Sequence, residues 1–170
     1  MADQTMEKHT IIAWVEDKPG VLYRIAGLFS RRNFNIESLS VAQTEEPGVS
    51  RMTFVTIGTA RDMRQVHTQL NKQINVLRIE DVTDNPSIDR ELALLKVKAV
   101  SENRHEVVQL AELHKASVVD VTIDSLVVQI VARPDLVQSL VDNLSHFEII
   151  EMVRTGSVSM NRSYRRKAGE

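Results

Sequence analysis

The order strand–helix–strand–strand–helix–strand can be read twice along this chain, before and after a polar break, T-D-N-P-S-I-D, at Thr83 to Asp89. Few folds accommodate a doubled order of that kind. In the first pass, residues 10–15 form an apolar strand, 20–32 an amphipathic helix, 34–42 and 50–57 two strands, 61–72 a helix and 76–82 a closing strand. Met52 and Phe54 share a face, and Met63, Val66 and Leu70 recur at helical spacing. The strand at 34–42 changes phase: Phe34 and Ile36 lie on one face, Leu39 and Val41 on the other. Two readings fit, a bulge near Glu37 or burial of the two ends against different surfaces, the first end being left for a partner subunit. Glu45-Glu46-Pro47-Gly48 is a turn.

In the second pass, residues 92–100 are a strand and 102–115 a helix with Val107, Val108, Leu110 and Ala111 inward. Val119, Val121 and Ile123 then alternate with Asp120, Thr122 and Asp124, and Leu126, Val128 and Ile130 return as the facing strand. Pro134 starts a helix whose stripe is Leu136, Leu140 and Leu144, and residues 149–158 close the unit. The expected fold is α+β, two ferredoxin-like βαββαβ domains in tandem, with boundaries at 1–83 and 90–160, a linker at 84–89 and a basic tail at 161–170. Units of about eighty residues are small enough to gain from an oligomer.

The densest signals lie between Glu16 and Ser40, E-D-K-P-G-V-L-Y-R-I-A-G-L-F-S-R-R-N-F-N-I-E-S-L-S. Gly20 can adopt backbone angles closed to other residues, so a turn there can aim several free amides at one point. A helix start of that kind suits a carboxylate. Val21, Ile25 and Phe29 form the apolar stripe, widened by Leu22, Ala26 and Leu28, and Arg31 and Arg32 complement the dipole in the last turn. On local physics alone this is either an ordinary strand–turn–helix corner or an anion site. The repeat is one of pattern and not of residues: only the first half has the Pro-Gly turn. That asymmetry assigns ligand sensing to the first half and assembly to the second.

Chemistry is scarce. The chain has no cysteine, which removes disulfides, thiolate metal sites and thiol catalysis. His9, His67, His105, His114 and His146 show no metal-ligand spacing, and there is no phosphate loop, dinucleotide fingerprint or nucleophile elbow. Glu45-Glu46 reads as a solvated corner. A formal net charge of -2 gives no pull toward nucleic acid or an anionic membrane. The βαββαβ order is shared with RNA-recognition domains, but S-R-M-T-F-V-T-I lacks their aromatic signature, and Trp14 and Phe54 read as core. No run is long and apolar enough to span a membrane, and residues 1–10 lack a signal-peptide core, so a cytoplasmic location is expected.

The run from Val15 through N-I-E-S-L resembles the opening of the small, regulatory subunit of acetolactate synthase (acetohydroxyacid synthase). S-R-M-T-F, Q-L-N-K-Q-I-N-V-L and R-E-L-A-L-L-K-V extend the similarity, which is co-linear from residue 9 to about 160. D-x-P-G-V-L by itself marks the broader class of amino-acid-sensing ACT domains, so the alternative is an ACT sensor serving another enzyme or a transporter. The resemblance implies an ACT domain in the first half and no catalytic site, cofactor or metal in this chain. It implies a large catalytic subunit as partner, which carries thiamine diphosphate, a divalent metal (magnesium) and FAD and condenses pyruvate with a second 2-oxo acid. It further implies stimulation of that subunit, feedback by valine (also leucine or isoleucine), and a homodimer through side-by-side ACT domains. The effector would lie between Asp17, Gly20 and Val21 of one chain and Asn35 and Ile36 of the other. Many relatives carry Asn where this chain has Asp17, which can pair with an ammonium but repels a carboxylate placed too close. Val21 and Ile36 would line the pocket for a branched side chain.

Overall fold

In the first pass of the pattern, β1 (Glu7–Glu16) leads through a turn into α1 (Val21–Arg31), followed by β2 (Ile36–Gln43), β3 (Val49–Gly58), α2 (Ala60–Asn71) and β4 (Val76–Asp81). The structure, a computed structural model, describes residues 5–31 and 34–162. Arg32 and the tail beyond Arg162 therefore lie outside the described residues. The sheet is antiparallel with order β2-β3-β1-β4. Period-two alternation sends Ile11, Ala13 and Val15 of β1 and Met52 and Phe54 of β3 to one face. There they meet Val21, Ile25, Leu28 and Phe29 of α1 and Met63, Val66 and Leu70 of α2. Phe29 and Phe54 stack with ring centroids 5.1 Å apart. Leu22 is 43% exposed and does not join the stripe that the sequence pattern assigns it. α2 starts with a capping box in which Thr59 and Asp62 satisfy each other's backbone N–H.

The phase change in β2 is a bulge. Ile36 opposes Thr56 and Ser38 opposes Val55, so Glu37 is the extra residue. Ile36 and Leu39 can then both pack against the core, as Phe34 does. Trp14 departs from expectation. It alternates away from the core and lies in line with Arg51 of β3 and Arg78 of β4, whose guanidinium carbons stand 5.1 and 4.2 Å from its ring centroid.

The second pass gives β5 (Ser87–Lys98), α3 (Arg104–Leu113), β6 (Ser117–Val121), β7 (Ser125–Ala132), α4 (Pro134–Leu144) and β8 (Ile149–Arg154), with sheet order β6-β7-β5-β8. Ala93, Leu95, Val97, Leu126, Val128 and Ile130 close its core with Val107 and Ala111 of α3. From α4 come Val137, Leu140 and Leu144, with Leu136 exposed. Steps of four residues overshoot the helix turn by about 40° each, so a 136–140–144 row drifts off a stripe that 137–140–144 keeps. A bulge between Val118 and Asp120 likewise turns Val118 toward the core and leaves Val119 and Val121 exposed, with Ile123 93% exposed at the following turn.

The expected closing strand at 149–158 is two strands. Gly156, at φ 77, separates β8 from β9 (Val158–Asn161), and β9 pairs with β5. One compact unit ends at Ile88 and resumes at Ser159; the other is Asp89–Val158. β5 starts at Ser87, inside the stretch read as a linker.

Glu91 is 5% exposed and receives both arms of the Arg154 guanidinium at 2.8 Å, while Arg154 Nη1 donates to Gln138 at 2.9 Å. The hydrogen bonds to Glu91 raise the Arg154 pKa above its ordinary value. Removing Glu91 leaves a partly exposed guanidinium without its two charged hydrogen bonds, so Glu91→Ala should cost about 1.5–3 kcal/mol in urea unfolding and Glu91→Gln distinctly less. Equal losses from the two variants would mean that the pair's charge contributes nothing.

Candidate functional site

The turn between β1 and α1 is braced on both sides. Asp17 N–H donates to the Gly48 carbonyl at 2.8 Å, and Glu16 N–H donates to the Asn75 carbonyl at 2.9 Å. The Asn75 side-chain amide returns to the Glu16 carboxylate, and Lys18 pairs with the same carboxylate at 3.1 Å. Those two contacts, Asn75 first, hold the Glu16 carboxyl below the ordinary glutamate range. Asp17 accepts from the Gln43 amide at 3.0 Å, so a neutral group restrains it, and among the described residues no cation pairs with it.

Gly20 takes φ +80, and a Cβ there would meet nothing within 4 Å. Substitution at Gly20 is therefore opposed by the backbone angle and not by a clash within the chain. α1 has no acidic residue in its first turn, in contrast to α2, α3 and α4, which carry Asp62, Glu106 and Asp135 there. Gly20 has no side chain with which to cap it. The Val21 amide turns back to the Lys18 carbonyl at 3.3 Å, and those of Leu22 and Tyr23 have no carbonyl ahead of them in the helix. Such an end is electropositive and open to an anion.

Asn35 and Ile36 stand past the other end of α1. There an open hollow of about 370 Å³ is lined by Ala26, Phe29, Ser30, Phe34, Asn35 and Ile36, and its surface is more polar than apolar. The Asn35 carbonyl accepts from Thr56 at 2.6 Å, which fixes the chain, while its side chain is exposed. The structure thus brings Asp17, Gly20 and Val21 together, and Asn35 and Ile36 together, and separates the groups by α1. Eleven residues of helix measure about 16 Å. Val21 is 3% exposed and its side chain belongs to the core, so only its main chain faces the turn. Gln43, Gly48 and Asn75 are turn-bracing residues that the sequence alone did not single out. Nothing in their local pattern distinguishes them, since the contacts span 26 to 59 positions.

Among the described residues no group of three His, Cys, Asp or Glu side chains is placed to hold a metal, and no helix is long and apolar enough to cross a membrane. His9 is buried with Nε2 3.2 Å from the Gly58 carbonyl, and His114 joins α3 to α4 through Ser139 and Asn143.

Comparison with known proteins covers both units. Residues 11–78 match the model of the AHAS small subunit-like ACT domain, and residues 90–163 that of the small subunit of acetolactate synthase. The chain is 45% identical over 155 residues to a probable acetolactate synthase small subunit of Archaeoglobus fulgidus, covering 91% of this chain and 97% of that one. It is 43% identical over 162 residues to the acetolactate synthase small subunit of Bacillus subtilis, covering 95% and 94%. The crystal structure of the acetolactate synthase small subunit from Thermotoga maritima superposes with a TM-score of 0.85 at 32% identity, covering 93% of this chain and 99% of that one.

The brace on the turn is testable by NMR titration. Glu16 should titrate below the ordinary glutamate range, and Asn75→Ala should move it back up. A depressed carboxyl stabilises the fold above its ordinary pKa and loses that contribution as pH falls through the folded value. A Glu16 titration unchanged by Asn75→Ala would remove Asn75 as the cause.

Proposed function

The chain belongs to the family of acetolactate synthase small subunits, and from that premise we propose that it is the regulatory subunit of the enzyme. It binds the large catalytic subunit in the cytoplasm, raises its activity and makes it sensitive to valine, or to leucine or isoleucine. Thiamine diphosphate, magnesium and FAD belong to the large subunit in this reading, and the reaction needs no catalytic group from this chain. The ACT domain at 1–83 senses the amino acid and the domain at 90–160 serves assembly.

The observation that carries the reading is the separation of the two half-sites. Gly20 and Asn35 stand beyond opposite ends of α1, a helix about 16 Å long, which favours a guest held between two copies over one held within a single chain. β2 supports this arrangement: it is an edge strand, a position that can pair with another chain, and it begins at Ile36. The effector's carboxylate meets the open α1 amides, its ammonium meets Asp17, and its branched side chain enters the cavity beside Ile36 and Phe34 of the second copy. Valine then tightens the pair of ACT domains and favours the less active arrangement of the complex. Coupling of this kind is reciprocal and typically about 1–3 kcal/mol.

Acetolactate formation by the cognate large subunit, with this chain added and valine titrated, tests the proposal. Addition should stimulate, and valine should inhibit. Gly20→Asp, which strains a positive φ and puts a negative charge where the carboxylate goes, should abolish inhibition and spare stimulation. Asn35→Ala should weaken inhibition from the other side. An equal mixture of the two variants should recover part of the response, since in mixed dimers one site draws both halves from intact positions, about a quarter of all sites. No recovery, with mixed dimers formed, would place both residues in one chain's site or neither in a site. Stimulation absent while valine still binds would assign the sensor to another partner.

A further inference from the structure

β9 pairs with β5, and the first sheet does not need it. The order β2-β3-β1-β4 is complete without it, yet the chain returns to the first unit at Ser159 after the whole second unit has been built. The return is fastened at several points. Arg51 Nη2 donates to the Ser159 carbonyl, Asn161 Nδ2 donates to Glu80 at 2.8 Å, and Arg162 N–H donates to the Pro86 carbonyl at 2.9 Å. Ser159 is 3% exposed.

These contacts close a circuit. Arg51 and Arg78 reach the Trp14 ring from the neighbouring strands β3 and β4; Arg78 pairs with Glu80, and Glu80 holds Asn161. β9 is therefore attached at both ends of a row that crosses β3, β1 and β4. Trp14 is the middle of that row. The register between β1 and β4 shifts between Trp14 and Val15, and Glu16, Asp17 and Gly20 follow within six residues. A strand transmits displacement along its axis, whereas a bulge gives it a place to bend.

The latch also carries a defect. Arg51 Nε is buried with no hydrogen-bond partner, and desolvation lowers the Arg51 pKa from its ordinary value. An unpaired buried donor subtracts from what the latch gains.

We infer that β9 is a strap on the first unit, closed by Arg51 and Asn161 around Trp14, through which the segment leaving the second unit sets the position of the effector turn. This rests on the reading of residues 17–21 as part of the effector site. Arg51, within S-R-M-T-F, is then a positioning residue that touches no ligand. Closing the strap holds the row straight and the turn in its braced form. Opening it lets β4 bend at Leu77, the residue that the register leaves without an opposite, and β1 with it, so that amino-acid binding no longer reaches the rest of the chain.

The test uses the full chain with its catalytic partner and compares Arg51→Met and Asn161→Ala with the natural protein. Both variants should keep stimulation, and calorimetry should show valine affinity within about threefold, since neither residue meets the ligand. Inhibition at saturating valine should fall at least twofold. Trp14 is the single tryptophan, so its emission reports the latch directly. Valine should shift that emission in the natural protein, and the shift should shrink in Arg51→Met. A residue that only stabilises the fold would change affinity or stability and leave saturated inhibition intact. Full inhibition at saturation in both variants overturns the strap while leaving the effector reading in place. Absence of inhibition in the natural protein overturns the effector reading itself. Should Arg51→Met not fold, Asn161→Ala decides, because its partner contact is exposed.

Discussion

A helix of eleven residues is a rod, and the first unit is arranged around the fact that this rod cannot be shortened. α1 has an open, acid-free start at Gly20 and finishes beside a cavity that contains Asn35 and Ile36. In the proposed reading each end offers half of what a zwitterionic amino acid requires: amides for a carboxylate at one, an open hollow of mixed polar and apolar lining at the other. The core fixes the rod through Ile25, Leu28 and Phe29, so the separation between the ends is set by packing. In the proposed reading, sensing therefore requires association of two copies.

The turn at the start of that rod is held by long-range contacts and not by its own sequence. Gly48 lies in the β2–β3 hairpin and Asn75 in the approach to β4, and both take hold of the main chain within two residues of each other, at Glu16 and Asp17. Asp17 is turned toward Gln43. In the proposed reading that contact matters electrostatically, because a carboxylate swung over the α1 amides would compete with the effector's own carboxylate. Exposed charges of this kind contribute little to stability, and their effect falls on selectivity.

Much of this fold was legible in the sequence because its elements are amphipathic. Period-two and 3.6-residue patterns located the strands and helices of both units apart from β9, and the phase change in β2 left a bulge near Glu37 as one of two readings. Misreadings arose where two patterns competed. Leu136 suits a strict four-residue spacing, but the stripe followed Val137; Val119 and Val121 alternate, but a bulge sent Val118 inward. The division of the last strand at Gly156, and the pairing of its second part far upstream, left no local periodicity to detect. Of the site, Gly20 and its neighbours were visible as a turn, whereas Gln43, Gly48 and Asn75 were not. Trp14 was assigned to the core by its apolar character, when its place is set by the two arginines opposite it in the register.

The central claim is that the effector occupies a site made by two chains, and valine binding measured by calorimetry over a wide range of protein concentration tests it most directly. A shared site obliges ligand and association to favour each other. Apparent affinity should weaken as the protein is diluted into separate chains, and valine should tighten association by the same factor. Affinity independent of protein concentration, with one valine bound per isolated chain, would contradict the account.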